Sequence, residues 1–134
     1  MILGVTLYLR NSVEAVDFYK EAFGMTLGYH VRHSDGTFLH AELEKNGRCV
    51  FSVSESGDTA VAKALLAAQT PPVNCGIDFD SEDEIRHAYV LLAEEGHVLR
   101  KPGPLPWSDY SADVVDKYGV SWFITLPNHR PAEE

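Results

Sequence analysis

The sequence predicts an α+β fold made of two βαβββ modules. Three observations predict it. Stretches with strand-like alternation are interrupted twice by a helical apolar period. The order strand, helix, three strands runs twice along the 134 residues. The halves also align at a separation of about 72 residues, Gly4-Val5-Thr6-Leu7 with Gly76-Ile77-Asp78-Phe79 and Gly24 with Gly96.

The first module covers residues 2–54. ILGVTLYL reads as a strand. Asn11 and Glu14 form a capping-box pattern that starts a helix. Val13, Val16, Phe18, Tyr19, Ala22 and Phe23 carry its apolar period, and Gly24 ends it. Residues 25–33 read as a strand, with a turn at Ser34-Asp35-Gly36. TFLHAELE alternates, with Leu39, Ala41 and Leu43 on one face and Phe38, His40 and Glu42 on the other. Lys45-Asn46-Gly47 turns the chain into a fourth strand, CVFSVS.

Residues 55–72 are a connector. Its TAVAKALLAAQ segment is a short helix, stopped at Thr70-Pro71-Pro72. The second module covers residues 73–126. VNCGIDFD is a strand, and Ser81 with Glu84 repeats the capping box. Ile85, Ala88, Tyr89, Leu91 and Leu92 form an apolar helix face that Gly96 closes. HVLRKP is a strand, residues 103–106 a loop, and SDYSADVVD and VSWFITL are strands around Lys117-Tyr118-Gly119. The tail, residues 127–134, is expected to fray. All of it fits one domain over residues 1–134.

Composition narrows the function. Twenty acidic against 11 basic residues give a net charge of −9. Nucleic acids and anionic membranes need a basic face, so neither is an expected partner. No apolar run approaches the roughly 20 residues that span a bilayer, and no signal peptide is read at the N-terminus. Cys49 and Cys75 lie in apolar runs without a CxxC partner, which predicts buried, reduced thiols and a cytoplasmic protein. No GxGxxG, P-loop, HExxH or GxSxG pattern occurs.

The arrangement resembles the vicinal oxygen chelate superfamily, which includes glyoxalases, bleomycin-resistance proteins and ring-cleaving dioxygenases. SVEAVDFYKEAFGM resembles its first-helix motif, and FLHAELEKNGRCVFSVSE its third and fourth strands. Trp107, Asp116, Tyr118, Gly119, Val120 and Trp122 fit the ending of the PhnB-like branch, with Ser108 in place of the usual Gly. The resemblance implies sheets curled around a cleft and pairing of modules, here as a homodimer. It also implies a divalent metal held from the first and last strands of each module. In that register the positions are Gly4, Ser52, Gly76 and Phe123, which lack the His, carboxylate or thiolate donors a Zn, Ni or Fe site needs. No metal and no cofactor is therefore expected.

Strand alternation places Leu7, Leu9, Ile77, Phe79, Trp122 and Ile124 toward the helices. Thr6, Tyr8, His40, Glu42, Ser52, Asp78, Ser121, Phe123 and Thr125 then fall on the opposite face. That face reads as a ligand cleft with aromatic walls and a few polar groups, or as a solvated sheet surface. The candidate ligand-binding residues are Tyr8, His40, Glu42, Ser52, Asp78, Trp107, Tyr110 and Phe123. His40 and Glu42 share one side of a strand, spaced for acid–base work, although His-Ala-Glu is also frequent in the PhnB-like branch. Trp107, with Asp109 and Tyr110, offers either an aromatic rim over the cleft or a buried indole that anchors a loop. His30, His33, His87, His97 and His129 read as surface residues, and Cys75 as a structural thiol.

Three functions compete. The first is a metal-independent binder of a small, partly aromatic, neutral or cationic molecule. The second is a lyase, isomerase or dioxygenase using His40 and Glu42 or a relocated metal. The third is a structural or regulatory domain without a small ligand.

Overall fold

The computed structural model describes residues 1–58 and 60–127, so most of the expected tail, with His129, and Thr59 of the connector lie outside the described residues. The chain divides into two compact units, Met1–Val61 and Ala62–Glu134. The boundary falls inside the connector.

The first unit contains β1 (Thr6–Leu9), α1 (Ser12–Phe23), β2 (Thr26–Arg32), β3 (Phe38–Lys45) and β4 (Arg48–Glu55). Its sheet runs β1-β4-β3-β2, with β1 parallel to β4 and the other pairs antiparallel. α1 exists because Ala15, Val16, Tyr19, Ala22 and Phe23 recur on one face, and all five are buried. They share the core with Leu7, Leu9, Ala41, Leu43, Phe51 and Val53. Tyr19 stacks on Phe23 at 5.8 Å and meets Phe51 edge-on at 5.4 Å. Burial of each such large side chain contributes about 1.5–3 kcal/mol.

Two expectations for this unit are corrected. Asn11 does occupy the cap of α1, but in the left-handed conformation (φ 54°) and without a side-chain cap bond. The orphan N–H groups of Asn11 and Ser12 instead donate to the two oxygens of Glu55, at 3.1 and 2.9 Å. A residue far along the chain caps this helix, so no local box could reveal it. Phe38 also leaves the face of His40 and Glu42. The β2–β3 register slips, with Val31 opposite His40 but Arg32 opposite Phe38. Leu39 is the extra residue of that bulge; it is exposed while Phe38 is buried, because the bulge resets the alternation.

The second unit holds most of α2 (Ala60–Ala67), then β5 (Cys75–Asp78), α3 (Glu82–Ala93), β6 (His97–Leu105), β7 (Ser108–Val115) and β8 (Ser121–Pro127). Its sheet runs β5-β8-β7-β6, the same order as in the first. Ile85, Ala88 and Leu92 of α3 bury with Phe79, Ala112, Val114, Trp122 and Ile124. Here the local box is real: Ser81 Oγ accepts from Glu84 N at 3.3 Å and bonds Glu84 Oε1 at 3.1 Å. The expected separation of about 72 residues is corrected to 70, from Ser12 to Glu82. The helices open at Ser12 and Glu82, which makes Thr6 the counterpart of Gly76 and Tyr8 that of Asp78.

The end of α3 differs from expectation. Glu95, at φ 58°, takes the left-handed conformation. Gly96 is needed for space instead: a Cβ there would lie 2.4 Å from Val115 O and 2.6 Å from Leu92 O. The expected loop at residues 103–106 is also absent. β6 continues to Leu105, and Pro106-Trp107 turns directly into β7. Pro102 and Pro104 are tolerated because β6 is an edge strand, where the ladder to β7 shifts register repeatedly.

The Asp116 to Trp122 motif is a structural clamp. Asp116 is fully buried between β7 and β8. Its Oδ1 accepts from Tyr118 N (2.9 Å) and Val120 N (3.1 Å), and its Oδ2 from the Trp122 indole (2.8 Å). Gly119 completes the turn at φ 88°, with the backbone of Ala62 too near for any side chain.

Candidate functional site

In the first unit, β3 turns Ala41 and Leu43 to the core and leaves His40 and Glu42 half-buried on the face away from α1. His40 Nε2 and Glu42 Oε2 are 2.8 Å apart. Glu42 stands opposite Ser52, and Ser52 opposite Thr6, so the three form one row across β3, β4 and β1. Tyr8 lies one step on, opposite Ser54, and is 70% exposed. From β2 the Tyr29 ring lies 6.1 Å from the His40 ring, tilted by 51°, and is 65% exposed. Cys49 Sγ is 4.0 Å from Ser52 Oγ. Glu44 lies across β2 at Gly28, where a Cβ would collide with its carboxylate. Two cations of this unit are engaged elsewhere: Lys45 donates to Phe23 O, and Arg32 sits over the Phe38 ring. The face therefore joins a histidine–carboxylate pair, a second carboxylate, the hydroxyls of Ser52 and Thr6 and two exposed tyrosines.

In the second unit, Phe123 and Asp78 lie on the corresponding face. Phe123 is opposite Gly76 and Asp113, and Asp78 is opposite Thr125, which faces Ser111. Sequence reasoning missed the centre of this face. Arg100 of β6 donates to Asp113 Oδ2 (2.8 Å), Ser111 Oγ (2.6 Å) and Ser111 O (3.3 Å). The alternation of HVLRKP placed Arg100 in a strand, but its partners are set by an irregular pairing that no local pattern encodes. Asp113 is the counterpart of Glu42, since both face the last-strand position that pairs with Thr6 or Gly76. This sheet thus carries a guanidinium tied to a carboxylate.

One expected ligand residue falls elsewhere. Tyr110 points toward α3, where the Arg86 guanidinium lies 5.2 Å from its ring. The β7 register shifts between Ser108 and Tyr110, so spacing from Trp107 did not report its side. Trp107 is in the hairpin turn and 51% exposed, which excludes a buried indole anchor; the fully buried indole is Trp122. Among the other histidines, His30 Nδ1 lies 2.9 Å from Gly28 O, and His33 is exposed beside the β2–β3 turn.

The thiols also differ. Cys49 is exposed, contrary to the expectation of burial, because it lies beside the register shift of the β3–β4 ladder. Cys75 is half-buried; burial, with Asp116 nearby, pushes its thiol above the usual range, which disfavours the nucleophilic thiolate.

The family's metal positions can be placed by pairing. Gly4 precedes β1, and Thr6 faces Ser52 as Gly76 faces Phe123. Two hydroxyls, a hydrogen and a phenyl ring do not fit a transition metal. Among the described residues no three His, Cys, Asp or Glu side chains gather as a metal site. A shallow depression lies instead at the start of α1, lined by Val13, Glu14, Asp17, Thr37 and Glu55 among others. Its helix N–H groups are already taken by Glu55.

The fold and sequence together place the chain. Residues 2–124 match the glyoxalase/bleomycin resistance protein/dioxygenase superfamily, and the chain belongs to that superfamily. Among solved structures it is similar to a PhnB protein from Bacillus cereus, at 25% identity and a TM-score of 0.71, covering 94% of this chain and 99% of that one. It is also similar in fold to a glyoxylase/bleomycin resistance protein/dioxygenase domain from Frankia, at 18% identity and a TM-score of 0.68, covering 96% and 98%. TioX from Micromonospora gives 19% identity and a TM-score of 0.66, covering 98% and 100%. No curated protein matches.

Proposed function

We propose that the protein binds a small, partly aromatic, neutral or cationic molecule without a divalent metal, on the face that carries Tyr8, Tyr29, His40, Glu42 and Ser52. The observation that carries this reading is the 2.8 Å His40–Glu42 pair beside exposed tyrosines, on a sheet whose family metal positions hold no His, carboxylate or thiolate. Exposed rings offer stacking and cation–π surface, worth about 0.5–2 kcal/mol each. Glu42 and Glu44 favour a cation over an anion. Phe123 and Asp78 are assigned to the same task in the second unit, where Arg100 is internally neutralised by Asp113. The acidic chain is read as having neither nucleic acid nor a membrane as partner, and the modules as pairing in a homodimer around the ligand.

A second reading is supported by the same pair. A carboxylate that orients an imidazole is the arrangement general acid–base catalysis uses, so His40 and Glu42 also suit a proton-transfer enzyme. A thermal-shift screen of neutral, cationic and anionic aromatic compounds tests binding, since a ligand of the native state raises its melting temperature. Hits among cations and neutrals that weaken in Glu42→Gln support the proposal. Tight binding of carboxylates or phosphonates overturns its electrostatic part. Chelator is expected to leave the melting temperature unchanged, and one tightly bound metal per chain, removable with loss of stability, would refute metal independence.

A further inference from the structure

Resting on that reading, we infer that His40 Nδ1 is the hydrogen-bond acceptor of the site and selects aromatic ligands that carry an N–H donor. Glu42 Oε2 lies 2.8 Å from His40 Nε2. A carboxylate only accepts, so in the neutral ring the hydrogen resides on Nε2 and Nδ1 keeps its lone pair. Among the described residues Nδ1 has no hydrogen-bond partner. The ring of Tyr29 from β2 is centred 6.1 Å from the His40 ring and offers an open aromatic surface beside it. A ligand ring that lies against Tyr29 and reaches His40 with a donor edge would be held at Nδ1. The counterpart carboxylate in the second unit, Asp113, is bound by Arg100, which has no lone pair to offer. The acceptor is thus a property of the first unit alone.

The test uses the full chain and two probes, indole and 1-methylindole, in which a methyl group replaces the N–H hydrogen. Indole is expected to shift the NMR signals of His40 and Tyr29 and to bind at least about threefold more tightly than 1-methylindole, the worth of one neutral hydrogen bond. That preference should vanish in His40→Ala. Long-range ¹⁵N–¹H correlation at alkaline pH should report the Nε2–H tautomer in the wild type and a reduced preference for it in Glu42→Gln. Equal binding of both probes with shifts at Tyr29 would overturn the acceptor while leaving the binding face intact. An Nδ1–H tautomer, shifts confined to other residues, or no shift with either probe would also overturn it. The thermal-shift screen judges the broader binding reading separately.

Discussion

Replacing Asp116 tests whether the residues that mark the PhnB-like ending support the sheet. Asp116→Ala removes a buried carboxylate that accepts three hydrogen bonds, from Tyr118 N, Val120 N and the Trp122 indole. A hydrogen bond to a charged group contributes about 1.5–3 kcal/mol, and a buried donor left without a partner costs about 1–3 kcal/mol. Water entering the small cavity recovers part of this, so the expected loss is about 3–5 kcal/mol. Whole domains have about 5–15 kcal/mol, so this variant should stand near unfolding. Asp116→Asn keeps one oxygen for the two backbone donors but turns an NH₂ group on the indole, and should cost about 1–3 kcal/mol. Urea unfolding followed by tryptophan fluorescence measures both, and Trp122 should become more exposed in the alanine variant. A loss below about 1 kcal/mol for Asp116→Ala, with an unchanged dependence on urea, would refute the clamp.

Glu55→Ala removes the cap of α1 and should lower stability by about 0.5–2 kcal/mol, measured by urea unfolding, whereas Asn11→Ala should lose nothing through capping. Gly96→Ala sets a methyl against Val115 O and Leu92 O and should cost about 1–3 kcal/mol, read as a lowered melting temperature. A thiol reagent should label Cys49 at once and Cys75 slowly, because Cys49 is exposed and the Cys75 thiol is both half-buried and shifted upward. The sign for stability follows from that shift. The Cys75 contribution is complete below the ordinary thiol value of 9.0 and is lost as pH rises toward its higher folded value. Cys75→Ala should therefore flatten the stability curve above about pH 9.

Much of the fold was legible because it is written in local periods. The apolar spacing of Val16, Tyr19 and Phe23 made α1 visible, and the same spacing at Ile85, Ala88 and Leu92 made α3 visible. Ser81 and Glu84 were readable as a cap because both partners lie within four residues. Glu55 was not, because its partners are Asn11 and Ser12 at the other end of the module. The site divided in the same way. His40 and Glu42 sit two residues apart on one strand, so alternation alone put them together. Arg100, Asp113 and Ser111 meet only through the shifted β6–β7 ladder, and Tyr110 was misplaced by a bulge beside it.

The sequence by itself determined the two βαβββ modules, their superfamily and the placing of His40 and Glu42 on one side of a strand. Each of these depends on residues close in the chain, where backbone geometry fixes which side chains share a face. The tertiary structure alone decided that Phe38 turns inward, that Glu55 caps α1, that Asp116 binds the Trp122 indole and that Arg100 neutralises the counterpart of Glu42. These depend on bulges and on contacts between distant strands. One inserted residue reverses every later side chain, and a hydrogen bond across the sheet leaves no periodic trace in the chain.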